Sequence, residues 1–433
     1  MKKILLYGMI LLIPAFIFVS ESIAREYALS DVYREALKNS EKIKMTQENL
    51  YIAQVGKNKA VSLLIPKATA FGTYNRYSED KTTVSGVLIQ PVESGSWGVR
   101  IDESFSLSVR ELNALKIAGQ TITKTQYDLD AVKSDFILTV ASAYYNVLKA
   151  KKSLEIAAAN MARLGQYRDS VAKRVMVGDL TKTSLLRAEG ELSGARSEYL
   201  KATNVLKVYR AVLVRVAGVE ENFRLKETSP PTEDNTALES LRSIALALRA
   251  DLKSYDMQTK IAEEQIKYAR GAFWPYLSLY AIYLEADQYP AGQTLNRESI
   301  LAGITLNFPF FEGGLRIAEL NEAKAKKRQA KLSYDDFKKY VDTELQGAYL
   351  DLQTQKGMLK FLEDQLSYAE DNYNAVIRQF DNGMATSLDV MDANSLLLSS
   401  EKNVAEALYN YQFAYLWLKR ASGTLLQFVT TNN

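Results

Sequence analysis

Two long stretches of the chain carry apolar residues at helical spacing and contain no proline. The eight prolines are Pro14, Pro66, Pro91, Pro230, Pro231, Pro275, Pro290 and Pro309, which leaves residues 92 to 229 and 310 to 433 free of them. Average usage would place about six in each stretch. Both are rich in Ala, Leu, Lys, Glu, Gln and Arg, which favour helix, whereas proline inside a helix costs about 3 kcal/mol. Very long helices are therefore expected. The two stretches also repeat each other at a displacement of 205 residues: Tyr144 answers Tyr349, Gly178 answers Gly383, Thr181 answers Thr386, Ala188 answers Ala393 and Gly218 answers Gly423. A stripe through Leu185, Leu192, Tyr199, Leu206 and Leu213 returns as Val390, Leu397, Val404, Tyr411 and Leu418. Spacing of seven, with Ala188, Ala195, Ala393 and Ser400 between, predicts helices packed side by side in coiled-coil fashion.

Gly178 and Gly383 each interrupt a helical run, within VMVGDLTKTS and RQFDNGMATS. Glycine takes the left-handed dihedrals that end a helix, and Thr181 or Thr386 is placed to cap the next one. Each repeat thus predicts a helical hairpin, with outgoing runs near 112 to 176 and 314 to 381. The first returning helix, 182 to 217, would extend about 54 Å at about 1.5 Å per residue.

A different pattern precedes each hairpin. Segments 65 to 78 and 96 to 109 pair in the first half, and 273 to 284 and 300 to 311 in the second. Alternation shows in Trp97, Val99 and Ile101 against Gly98, Arg100 and Asp102, although Glu103 interrupts it, and the second-half strands are more apolar throughout. Four strands of about 12 residues approach the 9 to 11 that cross a membrane when tilted. The alternative is a four-stranded sheet of a soluble domain. If the strands enter lipid, four cannot close a barrel, because the smallest has about eight and open edges in hydrocarbon leave backbone groups unpaired. Trimerisation would give twelve.

The chain opens with Lys2 and Lys3, an apolar run from Ile4 to Val19, and Ser22-Ile23-Ala24, the order of a secretory signal cleaved after Ala24. The run is shorter than the roughly 20 residues of a membrane-spanning helix. Export would leave 409 of the 433 residues with a charge of +2. The expected organisation is a signal peptide (1–24), a first repeat of N-terminal helix, strand pair and helical hairpin (25–220), a polar linker (221–235), a second repeat (236–423) and a C-terminal tail (424–433).

Composition removes most chemistry. There is no Cys and no His, so the chain has no disulfide, thiolate nucleophile, imidazole base, ordinary zinc site or lipid-anchored cysteine. Lys and Arg number 54 against 51 Asp and Glu, which gives no case for nucleic acid. No enzyme, cofactor or metal site is expected.

Several motifs together resemble the TolC-like family of outer membrane efflux proteins: ALSDVYREALKNS, NFPFFEGGLR, GDLTKTSLLRAE, GMATSLDVMDAN and YNYQFAYLWLKRASGTL, along with both strand pairs. The resemblance spans almost all of the mature chain. It implies a mainly α protomer with four transmembrane strands, a homotrimer whose twelve strands form one outer membrane β-barrel, and a coiled-coil helical tunnel through the periplasm. The implied function is a passive conduit for efflux or type I secretion, fed by an inner membrane transporter through a periplasmic adaptor protein. A non-conducting periplasmic coiled-coil protein is the rival reading. Pro66, Pro275, Pro309, Gly313 and Gly314 fall at the implied junction of barrel and helices.

The resemblance also implies that the hairpin tips close the tunnel, with aspartates projecting into the bore; the matching positions are Asp389 and Asp392. Their i,i+3 spacing places both on one helix face, and threefold symmetry would form a ring that favours cations and raises carboxylate pKa values. Alternatively, two acids near a helix start favour its dipole and face solvent. Where the family's best-known member holds its tips with a tyrosine and an arginine, this chain has Phe380 and Ala385, and an expected aspartate is matched by Ser184. Closure is therefore expected to rely on packing near Phe380 and Met384, with Arg378 and Asp381 as candidate substitute pairs. Val177, Gly178, Leu180 and Thr181, with Asn382, Gly383, Met384 and Thr386, are the candidate adaptor contacts; the plainer reading is that they only make tight turns.

Overall fold

A computed structural model describes residues 25–228, 236–292 and 296–431. The signal segment expected at 1–24 lies outside the described residues, as does most of the Pro-containing part of the linker. Four long helices dominate: α3 (Arg110–Met176), α4 (Lys182–Ala217), α7 (Leu315–Asp381) and α8 (Ser387–Ala421). Helices α3 and α7 have 67 residues each, so each extends about 100 Å at about 1.5 Å per residue. Their start and end positions differ by the same 205 residues that relate the sequence repeats. Around them stand shorter pairs, α1 (Leu29–Asn39) with α2 (Glu41–Val61), and α5 (Leu238–Leu248) with α6 (Ala250–Gly271).

The helices form a wall. Toward the tips the order is α4–α3–α8–α7, and toward the strands it is α2–α3–α6–α7. This order explains why the second heptad stripe is better buried than the first. Val390, Leu397, Tyr411 and Leu418 are buried on α8, which has a helix on either side, whereas Tyr199 on the edge helix α4 is exposed.

Four strands form one antiparallel sheet in the order β2 (Lys67–Arg76), β5 (Glu93–Ser106), β7 (Tyr276–Tyr289) and β8 (Glu298–Asn307). Between β2 and β5 lies a small hairpin of β3 (Lys81–Thr82) and β4 (Leu88–Gln90). Period-2 alternation divides the sheet's faces. One carries Trp97, Val99 and Ile101 of β5, and the register places Leu279, Ala281 and Tyr283 of β7 and Ile300, Ala302 and Ile304 of β8 beside them. These apolar chains are largely exposed, Ile300 at 82% and Ile304 at 73%. The opposite face holds the Arg100–Asp102 ion pair at 3.0 Å and the hydrogen bond between Ser104 and Ser278 hydroxyls at 2.7 Å. Glu103 shares the apolar face but sits near the helical end of β5, three residues from Ser106. The second-half strands follow this division only in part: register puts Tyr276, Ser278 and Tyr280 on the face with Ser104 and Asp102, but Ile282, Leu284 and Leu301 fall on that face as well.

The described part of the linker is not only a surface connection. Within it β6 (Phe223–Leu225) pairs in parallel with β1 (Arg25–Tyr27), and Phe223 is buried. The tail contains α9 (Leu425–Thr431), whose Leu425 and Val429 join the core around Tyr144, Leu148 and Leu213. Where α5 turns into α6, Arg249 is 2% exposed. Its guanidinium donates to Asp251 at 2.9 and 2.5 Å, to Glu344 at 2.6 Å and to the Ala421 carbonyl at 3.2 Å. Arg420 joins Glu344 at 2.6 Å and Asp135 at 2.7 Å, so five charges clamp α3, α6, α7 and α8 together.

Candidate functional site

Both helical hairpins turn at the same end of the wall. At the first tip, Gly178 has φ +80°, the Asp179 and Leu180 amides donate to the Arg174 carbonyl, and Thr181 begins α4 by accepting from the Ser184 amide at 3.3 Å. At the second, Gly383 has φ +73°, the Met384 amide donates to the Gln379 carbonyl at 2.8 Å, and the Asn382 side chain donates to the Arg378 carbonyl at 2.7 Å. Glycine at these positions meets the left-handed dihedral without a Cβ penalty. Val177 at 80% and Met384 at 74% exposure project from the two turns, while Leu180 is half-buried against the apolar cluster that includes Leu164, Tyr167 and Phe380.

Phe380 does not project. It is 2% exposed, its ring centroid lies 5.3 Å from that of Tyr167, and Val171, Val390 and Met391 complete the pocket around it. A hydrophobic knot of this kind stabilises the tip by removing apolar area from water, about 25 cal/mol per Å². The polar link between the tips comes from Arg174, which sequence reasoning passed over in favour of Arg378 and Asp381. Its Nη1 donates to the Phe380 carbonyl at 2.7 Å, its Nε to Asp179 Oδ2 at 2.6 Å, and its guanidinium lies 4.8 Å from the Phe380 ring centroid. A cation on a helix C-terminal carbonyl complements the helix dipole, and here it adds to the Gly383 amide, which already donates to that oxygen at 3.0 Å. The available sequence signal was a difference between repeats: the position 205 beyond Arg174 is Gln379, so only one hairpin supplies the charge.

Asp389 and Asp392 lie on the exposed strip of α8, opposite the buried Val390, Met391, Ala393 and Asn394. Asp389 is also the third residue of the helix. Its carboxylate accepts from the Thr386 amide and from the Thr386 hydroxyl, each at 2.7 Å, and the Asp389 amide donates back to that hydroxyl at 3.3 Å. This capping box satisfies two otherwise open donors. The hydroxyl and then the amide of Thr386 hold the Asp389 carboxyl below its ordinary range in the single protomer. The capping carboxylate remains exposed on the protomer surface.

Farther from the tip the two hairpins join through polar pairs. Arg163 makes a two-pronged contact with Glu401 at 2.9 Å, and the buried Asn394 amide donates to Asn160 Oδ1 at 3.0 Å. At the other end of the long helices, Pro66 and Pro275 immediately precede β2 and β7, and Pro309 follows β8. Gly313 and Gly314, with φ +61° and +85°, turn the chain from strand into α7. Among the described residues no group of three or more acidic side chains is placed to hold a metal ion, and no helix is long and apolar enough to cross a membrane.

Comparison with known proteins agrees with this architecture over most of its length. The outer membrane efflux protein family model matches residues 32–219 and 241–424, one match for each repeat. The outer membrane protein TolC of Vibrio cholerae is 25% identical over 411 residues, covering 92% of this chain and 91% of that one. TolC of Escherichia coli is 23% identical, with 96% and 86% covered. A crystal structure of CusC, described as forming a transmembrane channel, superposes with a TM-score of 0.81 at 19% identity, covering 91% of this chain and 92% of that one. With two long hairpins, a two-faced sheet and a family match to both repeats, this chain belongs to the outer membrane efflux protein family.

Proposed function

We propose that three copies of this chain assemble edge to edge into one outer membrane channel, which receives substrate from an inner membrane transporter through a periplasmic adaptor and releases it outside. The observation that carries this reading is the position of the free edges. The first repeat leaves β2, α2 and α4 at one side of the protomer, and the second leaves β8 and α7 at the other. Exposed Leu186, Leu200 and Val208 on α4, and Leu350, Met358, Phe361 and Tyr368 on α7, mark those sides as apolar. A heterologous contact between unlike edges closes into a ring when the rotation allows it. Strand direction supports closure too. Since β2, β5, β7 and β8 alternate, β8 meets the next β2 antiparallel, as a barrel with an even strand count requires.

In this assembly the outward apolar face of the sheet meets lipid and the polar face lines the lumen. Asp389 and Asp392 of three copies ring the bore near the tips. Met384 narrows the same end, while buried Phe380 holds each tip rigid rather than filling the passage. Val177, Gly178, Leu180, Thr181, Asn382, Gly383 and Thr386 form the surface offered to the adaptor. The test is heat-sensitive trimer migration of the outer membrane fraction, followed by conductance in a planar bilayer. A trimer with ion conductance that loses cation preference in D389N/D392N supports the reading. A monomer, or a trimer that never conducts, favours a structural coiled-coil protein. Leu180→Glu should weaken adaptor binding while leaving the trimer intact; unchanged binding removes that residue from the docking surface.

A further inference from the structure

We infer that the internal duplication fixes the strand register between copies: β8 pairs with β2 of the next copy so that Phe311 lies opposite Lys67 of the partner subunit and Ile304 opposite Tyr74 of the partner subunit. This rests on the edge-to-edge assembly proposed above and specifies its membrane seam. The two strand hairpins are equivalent units. Lys67 pairs with Asp102 as Tyr276 pairs with Asn307; Lys67 to Tyr276 is a displacement of 209, and Asp102 to Asn307 one of 205. The four-residue difference lies in the loop that contains β3 and β4, not in the ladder. Side-chain detail repeats with it: the Phe71 ring covers Gly98, and the Tyr280 ring covers Gly303, at the same two displacements. Pro66 and Pro275, which open the first strand of each hairpin, are related likewise.

One junction between hairpins exists inside the protomer, that of β5 with β7. It pairs Ser106 with Tyr276 and Val99 with Tyr283. Moving β5 forward by 205 and β7 back by 209 turns these pairs into Phe311 with Lys67 and Ile304 with Tyr74. Barrel geometry favours using the same register at both kinds of junction, because strand tilt and stagger are linked. Each hairpin already steps by four residues: Lys67 lies opposite Asp102, which lies opposite Tyr280 rather than the repeat-equivalent Tyr276. A different step at the seam would tilt alternate hairpins unequally.

Two observations agree independently. The transferred register brings Ile304 and Leu306 onto the same face as Tyr74 and Gly72, so the apolar face stays continuous, whereas a slip of one residue would turn it inward. Moreover, Phe308 to Phe311 lie outside β8, yet their repeat equivalents, Glu103 to Ser106, are strand because β7 runs beside them. Phe308, Phe310 and Phe311 are 54%, 88% and 79% exposed. On assembly these residues extend β8 along Lys67 to Ala70 of the partner subunit, with Phe308 and Phe310 facing lipid at the membrane border, where aromatic side chains of barrels concentrate.

Cysteine cross-linking tests the register, and the native chain contributes no thiol of its own. Full-length T73C/T305C and, on the other face, G72C/L306C are oxidised in isolated outer membranes and run without reductant. Directly opposite antiparallel residues are roughly 4.5 to 5.5 Å apart at Cα, within disulfide range. Both pairs should give covalent trimers that reductant dissolves, at least tenfold faster than the shifted pairs T73C/G303C and T73C/N307C. Faster linkage in a shifted pair overturns the register and leaves the trimer standing. Absence of linkage in all pairs, with heat-sensitive trimers still present, overturns the β8–β2 seam; absence of linkage with monomeric protein overturns the assembly itself. If one double variant fails to fold, the pair on the opposite face carries the same comparison.

Discussion

Replacing Arg249 with methionine should destabilise the protein by about 3 to 5 kcal/mol, the usual cost of removing one partner from a buried ion pair. The side chain of Arg249 is 1% exposed, and its neighbours Asp251 and Glu344 are only 18% and 11% exposed. Methionine approximates the volume but removes four hydrogen bonds. Two carboxylates are then left to share Arg420, which lies 2.6 Å from Glu344 but 3.6 Å from Asp251. The Ala421 carbonyl at the end of α8 loses its donor as well. Neutralising a stranded carboxylate should recover part of the loss, so R249M/E344Q is expected to be more stable than R249M, with a coupling of about 1 to 3 kcal/mol. Burial alone would raise the Asp251 carboxyl, but hydrogen bonds and charge from Arg249 outweigh it and hold the group below its ordinary range. Its contribution is complete above the unfolded carboxylate pKa, about 3.9, and is lost as pH falls through the lower folded value. The stability cost of R249M should therefore be largest above about pH 4 and shrink as pH falls, because acid already removes this contribution from the native chain. The assay is thermal and urea unfolding of detergent-solubilised trimer by circular dichroism, from pH 3 to 8. A loss below about 1 kcal/mol, or a double variant no better than R249M, would refute the reasoning.

Other consequences are local. Gly423→Ala and Gly218→Ala should both lower the unfolding midpoint, because both glycines have positive φ and the new Cβ would lie 2.9 Å from the Arg249 amide nitrogen in one case and 2.9 Å from the Asn39 Cβ in the other; an unchanged midpoint in either would show that the backbone there relaxes. Arg174→Gln loses a charge-assisted bond of about 1.5 to 3 kcal/mol between the tips, so bilayer conductance should rise, and more than in Arg378→Gln; equal conductance would show that the knot around Phe380 alone holds the end shut. Thr386→Val removes the hydroxyl that lowers the Asp389 carboxyl, so the Asp389 titration followed by NMR should shift upward.

Much of this molecule is written in local pattern. Proline-free stretches, strong helix formers and a heptad stripe determined α3, α4 and α7 to within a few residues, because helix breakers and periodicity act over short distances along the chain. The glycine turns and their threonine caps were equally legible. Duplication at a displacement of 205 showed that the chain is one extended object rather than two unrelated domains. Strand segments were visible, and so were the faces of β5, but those of the second-half strands were not: Ser278 and Tyr280 appear in an apolar run, and only pairing with Ser104 and Asp102 assigns them to the polar side. Tertiary structure alone decided the contacts between residues far apart in sequence. Arg174 finds Phe380, Arg249 finds Glu344, and Phe380 turns into a buried knot because α8 lies against α3, an adjacency with no signature in either helix taken singly. Asp389 kept two meanings in sequence, cap and bore-facing charge, and the fold shows the first, with the carboxylate exposed on the protomer surface. Helix lengths follow from propensity summed along the chain, whereas the links that hold the tips and the turn between α5 and α6 depend on which faces the folded wall brings together.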